Sequence, residues 1–365
     1  MRRRNFITGI GGVGAGLAAA STMPTPAIAQ GTRELRMVST FVKNFPGLGT
    51  SANRLVERIR IASDGKLRIR LYNANELVGP LEVFDVVSKG DADIYFSSEY
   101  YYLGKSKAFG FFGAVPFGLT MDEYYAWLHY GGGQPLWDEL SAQFNLKPFV
   151  SSNTGVQMGG WFNREIKTVD DFKGLKFRMP GIGGEVLRRM GAAVVTLPPP
   201  EIYQALQSGT IDATEWIGPW HDLAFGFYKI AKFYYWPGFH EPSSVTSYAV
   251  NMRVWNSLPK DQQELLKMAF ESEAHLQSSE YDAGNPDALD TLLTKHNVQL
   301  RQFSNEIVKE IARNSAIVVN DLANSDPYAK KVWDNYRAFA KKSVGWAKIG
   351  VQGYLNARAE YMNFG

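Results

Sequence analysis

The sequence contains no cysteine, and this absence excludes several kinds of site. A chain of 365 residues without cysteine has no disulfide, no thiolate nucleophile, no cysteine-ligated zinc and no iron–sulfur cluster. Only five histidines are present, and they are dispersed along the chain: His129, His221, His240, His275 and His296. The zincin, α/β-hydrolase and P-loop motifs are also missing. The sequence therefore gives no positive evidence for catalysis, and we do not expect an enzyme.

Beyond its first 29 residues, the chain also lacks an excess of charge of either sign. The whole sequence has 39 Lys and Arg against 36 Asp and Glu, a formal net charge of +3. Arg2, Arg3 and Arg4 stand among 29 residues that include no acid, and subtracting these three leaves 36 basic against 36 acidic residues. A nucleic-acid partner requires a basic surface, so we expect no such partner.

The first 29 residues have the features of an export signal. The three arginines precede a weakly apolar, glycine-rich run from Phe6 to Ala20, and Ala27-Ile28-Ala29 matches an A-x-A cleavage site. Arg3-Arg4-Asn5-Phe6-Ile7 also resembles the twin-arginine pattern. We predict a twin-arginine signal peptide over residues 1–29, cleaved near Ala29, and a location in the periplasm. A retained N-terminal anchor is the alternative.

Strand and helix patterns alternate along the rest of the chain, which predicts α/β domains. Glu34–Thr40 and Leu67–Tyr72 alternate at period two, with helical spacing between them. A second series begins with a predicted strand over Val156–Asn163, and Val245–Met252 alternates again, as a strand returning to the first sheet would. At roughly 150 residues per domain, the length allows two such domains.

Polar side chains follow three predicted strands directly before glycine-rich turns, within Asn153–Trp161, Leu175–Gly181 and Ile211–Pro219. Open α/β sheets bind ligands at this position, beyond the carboxyl ends of strands. Arg178 ends one strand just before Gly181–Gly184, where a guanidinium can hold a carboxylate through two parallel hydrogen bonds. An ion pair with a surface Asp or Glu is the alternative interpretation of Arg178.

Seven segments occur in an order that is specific to one family: Tyr100–Lys105, Ala114–Phe117, Asn153–Trp161, Lys176–Arg178, Glu201–Tyr203, Asp212–Trp216 and Tyr234–Gly238. Through them the chain resembles the DctP-type solute-binding subunit of tripartite ATP-independent periplasmic (TRAP) transporters, and most closely its branch that binds 2-oxo acids such as pyruvate. The resemblance implies an α/β, two-lobed periplasmic binding protein fold (type II-like). Strands cross its hinge, and it includes a long connecting helix and a long C-terminal helix.

The family fold implies a division of this chain into lobes. Lobe I comprises residues 30–152 and 245–280, and lobe II comprises residues 153–244 and 281–329. Residues 330–365 are then a C-terminal helix.

An apolar stripe at helical spacing marks this terminal helix: Val332, Tyr336, Phe339, Trp346 and Ile349. Close relatives in the 2-oxo acid branch exchange such a helix within a two-fold dimer, so we expect a homodimer through it. A helix that lies across its own hinge is the alternative.

The resemblance also implies a binding site. The arginine that holds the substrate carboxylate falls on Arg178, and Tyr100 and Tyr101 line the side of lobe I. In the 2-oxo acid branch a cation, Na⁺ or Ca²⁺, lies beside the substrate, held by a glutamine, a glutamate, a backbone carbonyl and a further glutamate. These metal ligands fall on Gln157, Glu215, Trp216 and Glu241. The full set of predicted substrate-binding residues is Arg178, Gln157, Glu215, Trp216, Glu241, Tyr100, Tyr101 and Asn153.

The residue types agree with this chemistry. A small 2-oxo acid presents a carboxylate, a carbonyl oxygen and a short apolar tail. Its site therefore needs an arginine, an oxygen-seeking cation and aromatic walls, and Phe239 is a further candidate for such a wall. An ion pair with Arg178 itself is the alternative role for Glu215.

The predicted function is that of an extracytoplasmic receptor that passes a small monocarboxylate, such as pyruvate, to the small and large TRAP membrane subunits. The chain departs from the branch at Gly218–Asp222, where an aromatic residue and two acids are expected. It departs again at Phe239-His240-Glu241, where two tryptophans usually precede the glutamate. Both segments lie near the expected pocket, so ligand identity stays open. The alternative is a metal-free receptor for lactate, a sugar acid or another hydroxycarboxylate, and the remote one is a secreted α/β enzyme.

Overall fold

Two separate β-sheets organise residues 31–363, which are the residues that the computed structural model describes. The two sheets with their surrounding helices confirm the predicted α/β class. The predicted signal peptide, residues 1–29, lies outside the described residues. Within residues 31–363, no helix combines the length and the apolar character that crossing a membrane requires.

The chain alternates between strands and helices until residue 251 and is mainly helical thereafter. The strands are β1 (Arg33–Ser39), β2 (Leu67–Tyr72), β3 (Ile94–Ser98), β4 (Leu146–Asn153), β5 (Gly160–Phe162), β6 (Lys176–Arg178), β7 (Ala193–Val195), β8 (Ala213–Thr214), β9 (Phe233–Trp236), β10 (Val245–Asn251) and β11 (Gln299–Gln302). The helices are α1 (Leu48–Ala62), α2 (Val83–Lys89), α3 (Phe109–Gly113), α4 (Met121–Tyr130), α5 (Gly133–Ala142), α6 (Gly181–Arg189), α7 (Pro199–Gln207), α8 (Pro219–Phe225), α9 (Met252–Ser257), α10 (Lys260–Thr294), α11 (Asn305–Ala323), α12 (Pro327–Ile349) and α13 (Val351–Tyr361). Short 3₁₀ turns cover Glu99–Tyr102, Val169–Phe172 and Phe227–Lys229.

The first sheet has five strands in the order β2-β1-β3-β10-β4. Strands β1, β2 and β3 are parallel, whereas β10 runs antiparallel to both of its neighbours. All seven residues of β10 are buried, as expected of a central strand that is covered on both faces. As predicted, the chain returns to the first sheet at Val245.

The second sheet has six strands in the order β11-β9-β5-β8-β6-β7. Its strands are short, and the predicted strand over Val156–Asn163 pairs only at Gly160–Phe162. The reason is that the backbone N–H groups before Gly160 are used elsewhere: Gln157 N–H donates to Glu241 O at 3.1 Å and Met158 N–H to Ile217 O at 3.1 Å. These bonds fix the segment that enters the second sheet.

Two crossing segments and one long helix join the sheets. Residues 154–159 lead from β4 to β5, residues 237–244 lead from β9 to β10, and Thr154 N–H donates across them to Ser244 O at 3.0 Å. Helix α10 packs against β4 and α1 of the first sheet's half and also against α8, which follows β8 of the second sheet. The buried Glu273 of α10 pairs with Arg54 of α1 at 2.5 Å. The division of the remaining residues between lobes stays a prediction.

The C-terminal helix, predicted as one element over residues 330–365, is divided in two. Helix α12 ends at Ile349, and α13 begins at Val351, because the ψ of −93° at Gly350 lies outside the helical range. The start of the predicted stripe packs on the chain's own helices: Val332 and Tyr336 are buried in the cluster that includes α3, α4 and α5. The end of the stripe, with Trp346 and Ile349, is exposed.

A buried glutamate anchors the turn that follows β3. Glu99 opens this turn, and its Oε1 accepts hydrogen bonds from Tyr95 Oη at 2.9 Å and from Ser247 Oγ of β10 at 2.8 Å. Burial raises the pKa of Glu99 to about 7, although both hydroxyl donors act to lower it. The carboxyl therefore binds its proton more tightly in the folded chain than in the unfolded one.

We predict that Glu99 makes the protein less stable as the pH rises from about 4.5 to about 7. The folded state holds the Glu99 proton up to a pKa of about 7, whereas the unfolded state releases it near 4.5. The loss amounts to about 3 kcal/mol and is complete above pH 7. In denaturant titrations, Glu99→Gln should gain stability over wild type at pH 8 and show no gain at pH 4.

The exposed Glu271 provides a matched control. Glu271→Gln should show the same difference in the free energy of unfolding between pH 4 and pH 8 as the wild type. Equal pH dependence in wild type and Glu99→Gln would show that Glu99 does not carry this effect.

Candidate functional site

Neighbouring parallel strands of the second sheet bring an arginine and a glutamate together. Arg178, the last residue of β6, lies opposite Thr214, the last residue of β8. Glu215 follows Thr214 directly, so both side chains emerge at the carboxyl end of the sheet. Arg178 Nη1 lies 2.6 Å from Glu215 Oε1, and each side chain is 1% exposed. The predicted alternative role of Glu215, an ion pair with Arg178, is thus present in the structure.

The other two central strands add residues at the same edge. Strand β5 runs antiparallel to β8 and β9, so the segment before β5, with Gln157, lies at the edge where β8 and β9 end. The segment after β9 carries His240 and Glu241 there, and all three residues are buried. Four strands therefore converge on one polar cluster.

All five N–H donors of Arg178 are engaged. Nη1 donates to Glu215 Oε1 and to the Glu215 carbonyl at 3.1 Å, while Nε and Nη2 both donate to the Leu197 carbonyl at 3.2 Å. Nη2 also donates to Tyr101 Oη at 3.2 Å. A carboxylate that binds Arg178 must therefore replace one of these acceptors. Glu215 Oε1 and Tyr101 Oη belong to side chains, which can move.

Glu215 and Glu241 form an acidic cluster with His240 between them. His240 Nε2 lies 3.1 Å from Glu215 Oε2, and Gln157 Nε2 donates to Glu241 Oε2 at 2.7 Å. One possible ligand atom from each of Glu215, His240 and Glu241 lies within 4.8 Å of the others. These spacings would allow the three residues to share a bound ion.

The electrostatics of the cluster show a shortage of positive charge. Burial, and then the charge of Glu215, raise the pKa of Glu241 to about 7. Burial acts to lower the pKa of His240, but the hydrogen bond to Glu215 and the charges of Glu215 and Glu241 outweigh it, so this pKa is raised. One arginine does not balance two buried glutamates, and added positive charge would stabilise both.

The cluster has the donor atoms of a site for a hard cation. Gln157 Oε1 is buried and has no hydrogen-bond partner within the part of the chain that the structure describes. This amide oxygen and the carboxylates of Glu215 and Glu241 are the ligand types that Na⁺ and Ca²⁺ prefer. The predicted cation ligands Gln157, Glu215 and Glu241 thus fit such an ion. The backbone carbonyl of Trp216 stays a prediction.

Aromatic side chains from both sheets surround the arginine. Tyr100 and Tyr101 follow β3 of the first sheet and contact each other edge to face, with ring centroids 4.8 Å apart. The guanidinium of Arg178 lies 5.5 Å from the Trp216 ring, and Phe239 is buried. Of the eight predicted substrate-binding residues, all except Asn153 therefore belong to one connected group of contacts around Arg178 and the acidic cluster.

The eighth predicted residue, Asn153, lies at the end of β4. Its Oδ1 accepts from Gly155 N–H at 3.0 Å, and its backbone bonds Ser278 of α10. Asn153 thus shapes the crossing segment, and its role in ligand binding stays a prediction.

Sequence reasoning missed His240 as a member of the cluster. It appeared only as a departure from the two tryptophans expected before Glu241. Its position beside a predicted metal ligand was the signal that could have identified it. The other departure is structural: the buried Asp222 accepts hydrogen bonds from Trp161 Nε1 at 2.9 Å and Tyr234 Oη at 2.7 Å, and His221 packs against Tyr281.

Glycines allow α6 to approach this site closely. Gly181 has a φ of +69°, and a Cβ there would lie 3.1 Å from Tyr100 Cβ. A Cβ on Gly183 would lie 2.5 Å from His240 Cβ. The glycine run after Arg178 therefore makes room for Tyr100 and His240, which it packs against.

Residues 39–326 match the family model described as bacterial extracellular solute-binding protein, family 7. A monocarboxylate 2-oxoacid-binding periplasmic protein of Nostoc is 40% identical over 321 residues, which cover 88% of each chain.

Two solved structures share this fold at comparable identity. One is a TRAP periplasmic solute-binding protein of Pseudoalteromonas atlantica with bound sodium and pyruvate. It is 37% identical with a TM-score of 0.87, and the match covers 91% of this chain and 100% of that one. The other is a TRAP transporter solute-binding protein of Bordetella bronchiseptica, a mixed-occupancy dimer with calcium and picolinate. It is 34% identical with a TM-score of 0.88, and the match covers 90% of this chain and 98% of that one.

Proposed function

Because this chain belongs to family 7 of the bacterial extracellular solute-binding proteins, which serve TRAP transporters as receptors, we propose that it binds a small 2-oxo monocarboxylate such as pyruvate together with a cation. In this proposal the signal peptide is cleaved near Ala29, and the mature receptor delivers its ligand to the two TRAP membrane subunits in the periplasm. The ligand leaves the protein chemically unchanged.

The buried contact between Arg178 and an oxygen-rich acidic cluster carries this proposal. A 2-oxo acid has a carboxylate and a carbonyl oxygen on adjacent carbons, so one small molecule reaches both a guanidinium and a neighbouring cation. Arg178 offsets only one of the two glutamates, Glu215 and Glu241. A further carboxylate therefore needs added positive charge in this buried place, and a cation supplies it.

Ligand binding in this site would replace one of the hydrogen-bond acceptors of Arg178. The ligand carboxylate takes the place of Glu215 Oε1 on Nη1, and Glu215 turns its oxygen to the cation. Tyr101 and Leu197 accept from the Nε–Nη2 edge of the guanidinium, so the arginine keeps its orientation. The aromatic rings of Tyr100, Trp216 and Phe239 then exclude water from the ligand's short tail.

Calorimetry on the mature protein, with 2-oxo, 2-hydroxy and sugar acids in the presence and absence of Na⁺ and Ca²⁺, tests the proposed function. A cation-dependent preference for a 2-oxo acid supports it. Tight binding of a hydroxycarboxylate that chelation leaves unchanged would favour the metal-free alternative. Recovery of altered ligand after incubation would favour an enzyme.

We predict that Arg178→Ala weakens 2-oxo acid binding by a few hundred-fold or more. The ligand carboxylate would lose its buried partner, which costs about 3 to 5 kcal/mol. Arg178→Lys should rescue little, because lysine lacks the planar fork. Calorimetry checks both variants, with the exposed Arg189→Ala as control. An affinity within about threefold of wild type in Arg178→Ala would exclude this contact.

We predict that Glu215→Gln lowers the affinity for Ca²⁺ and makes 2-oxo acid binding less dependent on it, because the amide carries no charge to attract the ion. Calcium titrations at several ligand concentrations check this, since each partner should strengthen binding of the other. Glu201→Gln, an exposed glutamate of α7, should behave as wild type. Equal calcium dependence in Glu215→Gln and wild type would remove Glu215 from the cation site.

We predict a homodimer held by the end of the C-terminal region. Trp346 is 69% exposed, Ile349 76% and Tyr354 65%, and α13 has no buried residue. Such an apolar surface is unusual unless a partner covers it. Light scattering should give a dimer mass for wild type and a monomer mass for Ile349→Glu/Tyr354→Glu. Tyr130→Glu, at another exposed site, should stay dimeric. A monomeric wild type would contradict the dimer.

A further inference from the structure

His240 is placed like a metal ligand. It directly precedes Glu241, it is 1% exposed, and an imidazole nitrogen lies with oxygens of Glu215 and Glu241 in a group no wider than 4.8 Å. His240 Nε2 lies 3.1 Å from Glu215 Oε2, which is a hydrogen-bond distance, so Nδ1 is the imidazole nitrogen that is left for an ion. The cluster therefore offers nitrogen as well as oxygen.

The second nitrogen of this histidine supports a ligand role. His240 Nδ1 is buried and has no hydrogen-bond partner within residues 31–363, and a buried polar atom without a partner is unfavourable. A metal on Nδ1 would satisfy this nitrogen and leave the contact of Nε2 with Glu215 in place. Metal-bound histidines usually donate their other N–H to a carboxylate in this way.

Neighbouring backbone holds the histidine in this position. Gly183 of α6 approaches His240 so closely that a Cβ there would lie 2.5 Å from His240 Cβ. The carbonyl of the preceding Phe239 accepts from Phe117 N–H at 3.0 Å. The imidazole is thus fixed against both α6 and the segment before α4, which favours a preformed ligand set.

We propose that His240 contributes a nitrogen ligand to the cation site, so that the site binds divalent first-row transition metals such as Mn²⁺ and Zn²⁺ more tightly than Na⁺ or Ca²⁺. This inference rests on the proposed function for the existence of the cation site. Na⁺ and Ca²⁺ take oxygen ligands, whereas one imidazole among carboxylates suits Mn²⁺, Fe²⁺, Co²⁺ and Zn²⁺. His240 is then the residue that sets which ion accompanies the ligand.

Metal titrations of the mature protein, treated first with a chelator, test the proposal. Zn²⁺, Mn²⁺ and Ca²⁺ are titrated separately by calorimetry into wild type and His240→Gln. We expect Zn²⁺ and Mn²⁺ to bind wild type more tightly than Ca²⁺. In His240→Gln, the affinity for Zn²⁺ should fall about tenfold or more, while that for Ca²⁺ stays within about threefold.

Exposed histidines require a control, because they also bind transition metals. His129 and His275 line one surface cavity, so His129→Gln/His275→Gln is the matched variant, and it should keep the wild-type affinity for Zn²⁺. Pulsed electron paramagnetic resonance on Mn²⁺-loaded wild type gives a readout that needs no variant. We expect a ¹⁴N coupling from one directly bound imidazole.

Several outcomes would overturn the inference. Absence of the ¹⁴N coupling, or loss of the affinity for Zn²⁺ in the control instead of in His240→Gln, would show that His240 is not a ligand. If Ca²⁺ still supports pyruvate binding in that case, the proposed function stands and only the role of His240 fails. If no cation binds and pyruvate affinity is unchanged by chelation, the cation site fails together with the inference.

Discussion

The buried ion pair between Arg178 and Glu215 is the constraint on which the rest of the site depends. A guanidinium at 1% exposure is stable only where every donor and the charge are satisfied. The structure provides this through the parallel register of β6 and β8, the Leu197 carbonyl, and Tyr101 from the first sheet. Because Tyr101 reaches Arg178 across the junction of the two sheets, the arginine also links the two halves of the chain.

The charge of the acidic cluster determines what the site can hold. Arg178 balances Glu215, which leaves Glu241 with neutral hydrogen-bond donors, the Gln157 amide and the Ser244 side chain, and with a pKa raised to about 7. A lone carboxylate ligand would add a further negative charge here. Anion and cation therefore support each other in this place, since each reduces the cost of burying the other. Glu215 connects them, because one of its oxygens contacts the arginine and the other faces His240.

The sequence allowed the strand-end residues to be predicted but not their contacts. Arg178 and Glu215 could be identified because a polar residue after a buried strand and before a glycine stands out from the period-two pattern. Their pairing depends on β8 and β6, which have only two and three residues. The spacing of apolar residues does not predict which strands lie beside such short strands. The predicted strand over Val156–Asn163 was too long because the backbone of its first residues bonds the crossing segment. The break at Gly350 comes directly after Ile349, the last residue of the apolar stripe, so the spacing of the stripe did not reveal it.

An apolar contact between the two halves of the chain restricts the movement of Trp216 and so the size of ligand that the proposed site could hold. Phe45, which follows β1, packs against Phe225 of α8 with ring centroids 4.5 Å apart, and against Trp216 at 6.3 Å. The Trp216 ring therefore contacts two residues: Phe45, which follows a strand of the first sheet, and Arg178 of the second sheet. A ligand large enough to displace Trp216 would also break the packing of Phe45, whereas the proposed 2-oxo acid would only replace Glu215 on Arg178. The same aromatic residue thus joins the two halves of the chain and limits the size of what they enclose.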